Sequence, residues 1–171
     1  KHLNSEKPSV VFVAYGFNES FDGIQGLASF QKGLNRLLDR LENLSRQIVL
    51  ITPPAVVVHD NSLNLMLGRY AEILLETGRS RGHLVVDLFG DEALNAPAYR
   101  ENGLHLSAAG YQKVAEIWVQ KLKLPPVRID LNNSRADKVR QAIIKKNTLY
   151  FHRWRPRNDA FVFGERRDEQ K

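Results

Sequence analysis

Three residues of this chain have types and positions that could do chemistry: a glycine and an asparagine in one turn, and a distant loop histidine. Gly16, Phe17, Asn18 and Glu19 follow directly on the apolar run Val10–Ala14. Glycine lets the backbone turn tightly and approach a ligand closely. An Asn two residues on can present its side-chain NH₂ as a fixed dipole, which suits an oxyanion because it needs no proton transfer. Far down the chain, Asn102-Gly103-Leu104-His105 stand just ahead of Ser107-Ala108-Ala109-Gly110-Tyr111. Imidazole exchanges a proton near neutral pH, as a general base must. A residue three positions earlier in the same loop, Asn102, can reach back to orient the ring. Each motif also has a plainer reading: Gly-x-Asn as a turn, and a loop histidine as a surface or packing residue.

The elements that must position these residues follow from the apolar pattern. VVFVA at Val10–Ala14 is short, continuous and β-branched, the mark of a strand buried on both faces. Leu27, Phe30, Leu34, Leu37, Leu38, Leu41 and Leu44 recur at helical spacing and predict an amphipathic helix over 25–44. QIVLIT over 47–52 reads as a second strand, stopped by Pro53-Pro54. Asn61 or Ser62 can cap a helix running to about Thr77, with Gly78 as its stop. HLVVDLF over 83–89 reads as a third strand, and 90–106 as a loop. Ser107 caps a helix over 108–122 that Pro125-Pro126 ends. Residues 127–133 form a connector, and 134–146 a charged, exposed helix. Residues 147–171 are aromatic and basic with weak periodicity.

Alternating strands and helices predict an α/β fold with a parallel sheet and helices on both faces. In such sheets functional groups gather at the carboxyl ends of the strands, and both motifs fall there. Three strands are few, and the first begins close to Lys1. The expectation is that N-terminal strands are missing from this chain.

In their order, GFNE after a buried strand, ITPP ending the next, VVDLF, and NGLHLSAAGY opening the last helix resemble the SGNH (GDSL-like) hydrolase family. Gly16, Phe17, Asn18 and Glu19 match the family's block Gly-x-Asn-Asp. Asn102, Gly103, Leu104 and His105 match Asp-x-x-His. The resemblance covers roughly residues 8–124. The tail YFHRWRPRNDAFVFGERRDEQK is similar to that of bacterial, notably planctomycete-type, members. The resemblance implies a three-layer α/β/α sandwich of flavodoxin-like SGNH type. It also implies that Asn18 is the side-chain donor of an oxyanion hole, and that His105 is the base that activates a serine.

Three departures from the family pattern follow. The nucleophile's Gly-Asp-Ser block and a second-block glycine precede Gly-x-Asn-Asp in the family, and the chain begins about nine residues before that strand. The serine is therefore expected in a missing N-terminal segment or on a separate chain, and the isolated chain is expected to be inactive. Asn102 stands at the position of the triad Asp, where it can accept from the ring N–H but carries no charge; adjacent Glu101 is a weaker substitute. Glu19 replaces the block's Asp, a residue that supports the loop. Ser107 reads as a helix cap and Ser20 as a turn residue rather than as nucleophiles.

Composition narrows the classes further. Hydrophobic residues make up 43% and charged residues 26% of 171, ordinary for a globular chain. No apolar run is long enough for a transmembrane helix, so no membrane span is expected. The lack of cysteine excludes disulfides, thiol nucleophiles and thiolate zinc sites, and fits any compartment, a secreted or periplasmic one included. His2, His59, His83, His105 and His152 show no metal-ligand spacing, so neither metal nor cofactor is expected. The net charge of +6 gathers in the last third. It reads as a solvated surface or a clamp, without a nucleic-acid motif. Two units are expected: 1–124 as a partial hydrolase domain, and 125–171 as a basic, aromatic extension packing on or beside it. The functional expectation is a serine hydrolase of carboxylic esters, acting on a small-molecule or carbohydrate ester, acetylated sugars included. The alternative is a catalytically inactive module of the same fold that binds a polysaccharide or other anionic partner. Nucleic acid is the least favoured partner.

Overall fold

The computed structural model describes residues 7–57, 62–125 and 134–154. It divides into two units, Lys1–Pro125 and Pro126–Lys171. The first carries strands β1 (Val10–Ala14), β2 (Gln47–Ile51) and β3 (Leu84–Val86), and helices α1 (Gly23–Glu42), α2 (Ser62–Arg81) and α3 (Ala108–Lys121). The strands lie parallel in the order β1-β2-β3. Ala14 stands opposite Ile51, and Ile51 opposite Val86, so all three strands end at one rim.

The continuous apolar run of β2 has a direct structural cause. Successive side chains of a strand point to opposite faces. Ile48 and Leu50 join Val13, Leu34, Leu38, Leu41 and Leu74 on one face, under α1 and α2. Val49 and Ile51 join Val86, Leu88, Leu94 and Ile117 on the other, under α3. Both faces of β2 are covered, which makes a three-layer α/β/α sandwich; β1 is not the strand buried on both faces that its sequence predicts, since it stands at the edge of the described sheet with only Val13 buried and Val10 and Phe12 exposed. Leu38, Leu50 and Leu74 are fully buried, and burial of each such side chain stabilises the fold by about 1.5–3 kcal/mol.

The element boundaries depart from the sequence reading in three places. Gly78 does not stop α2; it is buried inside the helix and seats it close against Val85, and the helix ends at Arg81 before Gly82. The third strand is shorter than 83–89. Thr52 Oγ1 accepts from the N–H groups of Leu88 and Phe89 at 2.8 and 2.9 Å, which takes the backbone out of the ladder after Val86. In the second unit, α4 (Ser134–Trp154) runs well past residue 146. Residues 147–154 contain neither Gly nor Pro, and the next proline is Pro156. The Ser107 cap is as read: its Oγ accepts from Gly110 N–H at 3.1 Å. His59, Asp60, Asn61, the connector 127–133 and the tail from Arg155 lie outside the described residues.

At the amino-terminal rim, one guanidinium ties α1 to α2. Arg81 Nη2 lies 2.6 Å from Asp39 and 2.8 Å from Glu42, and His83 Nε2 lies 2.9 Å from Glu42. The two carboxylates push the Arg81 pKa above its ordinary value. Arg81, then His83, hold Glu42 below the usual carboxylate range.

Candidate active site

The first motif sits immediately past the end of β1. Gly16 has φ +107°, which favours glycine; a Cβ there would meet Leu74, Pro53 and Tyr70 at ordinary contact distance, so backbone conformation rather than space selects the residue. The chain reverses here into the 3₁₀ turn Glu19–Asp22. Glu19 Oε2 accepts from Gly16 N–H at 2.8 Å, so the residue in place of the family's Asp closes the turn across three positions. Ser20 is buried, its N–H donating to Gly16 O and its hydroxyl to Phe17 O at 2.6 Å. Asn18 lies between these clamps at the start of the turn; its side chain is exposed and caps nothing. Exposed Tyr15 and Phe21 flank it, Phe17 meeting Phe21 edge-on with centroids 5.8 Å apart.

The second motif sits in a loop held like a short hairpin. Arg100 and Leu106 form an antiparallel bridge. Glu101 N–H donates to His105 O at 3.0 Å, and Ser107 N–H to Tyr99 O at 3.0 Å. Inside the loop, Asn102 Oδ1 accepts from Leu104 N–H at 3.2 Å and His105 N–H at 2.9 Å. It also lies 3.2 Å from His105 Nδ1. Two backbone donors identify that atom as the amide oxygen, since an NH₂ could not accept from them. The same oxygen facing the ring favours the tautomer with hydrogen on Nδ1, which leaves Nε2 with its lone pair. His105 is exposed. The one side-chain partner of the ring among the described residues is Asn102, and not Glu101.

The second loop is tied to the exit of β2 through contacts that its motif does not announce. Val57 N–H, beyond the end of β2, donates to Gly103 O at 2.7 Å. Arg100 is buried, its Nη2 donating to Ala55 O at 2.6 Å and its Nε to Leu94 O at 3.1 Å. Arg100 Nη1 is buried without a partner among the described residues, and burial lowers the guanidinium pKa. Thr52 Oγ1 donates to Asp87 Oδ1 at 3.0 Å, and Asp87 Oδ1 accepts from Gly90 N–H at 3.0 Å. These contacts stitch the exits of β2 and β3 together. The sequence reading gives no role to Arg100 or Thr52. An arginine beside a loop motif carries no spacing signal, and only its burial distinguishes it. No group of three or more His, Cys, Asp or Glu suited to a metal ion occurs among the described residues.

A parallel sheet covered by helices on both sides is the fold of the SGNH hydrolase class. The chain belongs to the GDSL-like Lipase/Acylhydrolase family, whose model matches residues 2–113. No curated protein matches it by sequence. Among solved structures it is similar to an acetylxylan esterase from Geobacillus stearothermophilus, at 19% identity and TM-score 0.61, over 72% of this chain and 64% of that one. An alpha/beta hydrolase enzyme from the metagenome of Lake Arreo, Spain, is similar at 19% identity and TM-score 0.61, over 72% and 63%. A lipase/acylhydrolase from Enterococcus faecalis is similar at 24% identity and TM-score 0.56, over 73% and 67%. The chain thus spans less than two thirds of the length of the first two.

Proposed function

We propose that this chain supplies the base and the oxyanion donor of a serine ester hydrolase. The observation that carries the reading is the fixed Asn102 oxygen beside His105 Nδ1, which leaves Nε2 as the proton acceptor. In the first step His105 Nε2 takes the serine proton while the serine oxygen attacks the ester carbon. The carbonyl oxygen becomes an oxyanion that accepts from the Asn18 side-chain NH₂. His105 then returns the proton to the leaving alcohol, whose C–O bond breaks, and water repeats the sequence to release the acid.

In this reading the serine comes from the family's Gly-Asp-Ser block, which is not among these 171 residues. Ser20 is buried and bonded to Phe17 O, and Ser107 donates to Ala98 O at 2.8 Å while capping α3. Both hydroxyls are committed to structure. A carbohydrate acetyl ester is the favoured substrate: Tyr15 and Phe21, three residues to either side of Asn18 in the chain, are exposed aromatic rings of the kind on which a sugar can stack, and one structural neighbour is an acetylxylan esterase. The test is hydrolysis of p-nitrophenyl acetate by the longer protein that includes the serine block, with and without His105→Ala. A rate unchanged by His105→Ala removes His105 from the mechanism. The 171-residue chain alone is expected to give no turnover and no fluorophosphonate adduct.

One observation favours a second reading, a non-catalytic module of the same fold. Asn102 carries no charge to stabilise an imidazolium, so a protein that has abandoned hydrolysis would keep this loop geometry. Acetylated xylo-oligosaccharide that binds but is not cleaved by the longer protein would select it.

A further inference from the structure

We propose that α4 is an interfacial helix that lies on an anionic lipid surface. The helix spans Ser134–Trp154, and no residue over 134–153 is buried. At about 100° per residue, Ala136, Val139, Ile143, Ile144, Tyr150 and Phe151 fall within a sector of about 140°. Large apolar side chains in it stand well into solvent, Val139 57%, Ile143 50% and Tyr150 64% exposed. The remaining sector carries Arg135, Lys138, Lys145, Lys146 and Arg153, with Leu149 as its one large apolar residue. The sixth cation, Arg140, lies within the apolar sector and is paired with Asp137, the helix's one acidic residue, at 2.7 Å.

Charge decides which occupant this face takes. A second copy of the helix would cover the apolar sector but leave the five cations of the other sector without an anionic partner. A nucleic acid or acidic polysaccharide would use the cations and leave the apolar sector in water. An anionic bilayer surface uses both sectors: the apolar side chains enter the acyl boundary, while lysine and arginine stems reach out to the headgroups. Tyr150 suits that depth, its ring apolar and its hydroxyl polar. No helix among the described residues is long and apolar enough to cross a membrane, so α4 lies on the surface rather than through it.

The test is co-sedimentation of the 171-residue chain with phosphatidylcholine vesicles, pure or containing about 30% phosphatidylserine, an anionic lipid. Binding is expected to the anionic vesicles and to weaken with salt. Lys145→Gln with Lys146→Gln should weaken it about 25-fold, at about fivefold per cation near an anionic surface. Val139→Ser with Ile143→Ser should weaken it at least as much while leaving the melting of the first unit unchanged. Equal binding to both vesicle types, or to neither, overturns the proposal. Heparin retention that survives the serine pair, without vesicle binding, identifies a polyanion surface instead. A dimer in free solution that the serine pair dissociates identifies a self-interface instead.

Discussion

Asn102 Oδ1 lies 3.2 Å from His105 Nδ1 and also accepts the backbone N–H groups of Leu104 and His105. One oxygen thereby sets both the shape of the loop and the orientation of the ring. A neutral amide here orients the ring without placing a charge beside it. Nitrogen-15 spectra of neutral His105 are expected to report the Nδ1–H tautomer, with Asn102→Ala mixing the two tautomers. Asn102→Asp retains the acceptor and adds the charge, and on the proposed function it should raise kcat about tenfold or more in any form of the protein that carries the serine block. The reverse change in a serine-protease triad costs about 10⁴ in kcat. A lower rate for Asn102→Asp means that the loop, rather than the missing charge, sets the reaction.

Asn18 offers a different kinetic signature. Its side chain caps nothing and is held out from a clamped turn, so its removal should spare the fold. Asn18→Ala is expected to lower kcat about 10²- to 10³-fold, as loss of one oxyanion donor does, with KM little changed. Asn18→Asp should be no better, because a carboxylate cannot donate. A rise in KM alone would make Asn18 a substrate contact.

Arg100 tests whether the rim depends on a contact without a sequence signal. Arg100→Met strips the buried carbonyls of Ala55 and Leu94 of their donor. The change should cost about 1–3 kcal/mol in urea unfolding. It should also broaden the resonances of residues 101–106. Unaltered stability would mean that the desolvated guanidinium costs the fold as much as its hydrogen bonds return.

The amino-terminal rim supplies a pH dependence. Glu42 is held below its ordinary value, chiefly by Arg81. A depressed carboxylate contributes stability that is present above its unfolded value, about 4.3, and is lost as pH falls through its folded value. Glu42→Gln should therefore melt at a lower temperature than the parent at neutral pH, and the two curves should converge as pH falls through the folded value of Glu42. A gap that persists into acid would assign the effect to packing rather than charge.

Much of the layout is legible in the residue pattern. β2 is recognisable because a strand buried on both faces must be apolar at every position, and Ile48 to Ile51 are. Ser107 is recognisable because a hydroxyl before an apolar stripe has one local bond to make. The end of α2 is not. Gly78 carries the local signal of a stop, but packing against Val85, a contact with the following strand, outweighs it. The end of the third strand is hidden in the same way, since Thr52 captures the Leu88 and Phe89 amides from 36 and 37 residues away.

The candidate site divides along the same line. Residue type and order alone determined which groups are chemically able, an amide at Asn18 and an imidazole at His105, because those capacities belong to single side chains. Tertiary structure decided which way the Asn102 amide faces, that Arg100 is buried, and that both loops leave the same rim. Those depend on where the backbone amides of Leu104 and His105, the carbonyl of Ala55 and the ends of three parallel strands come to lie. Spacing along the chain cannot encode them, because distances between segments arise only when the sheet is paired and its faces are covered.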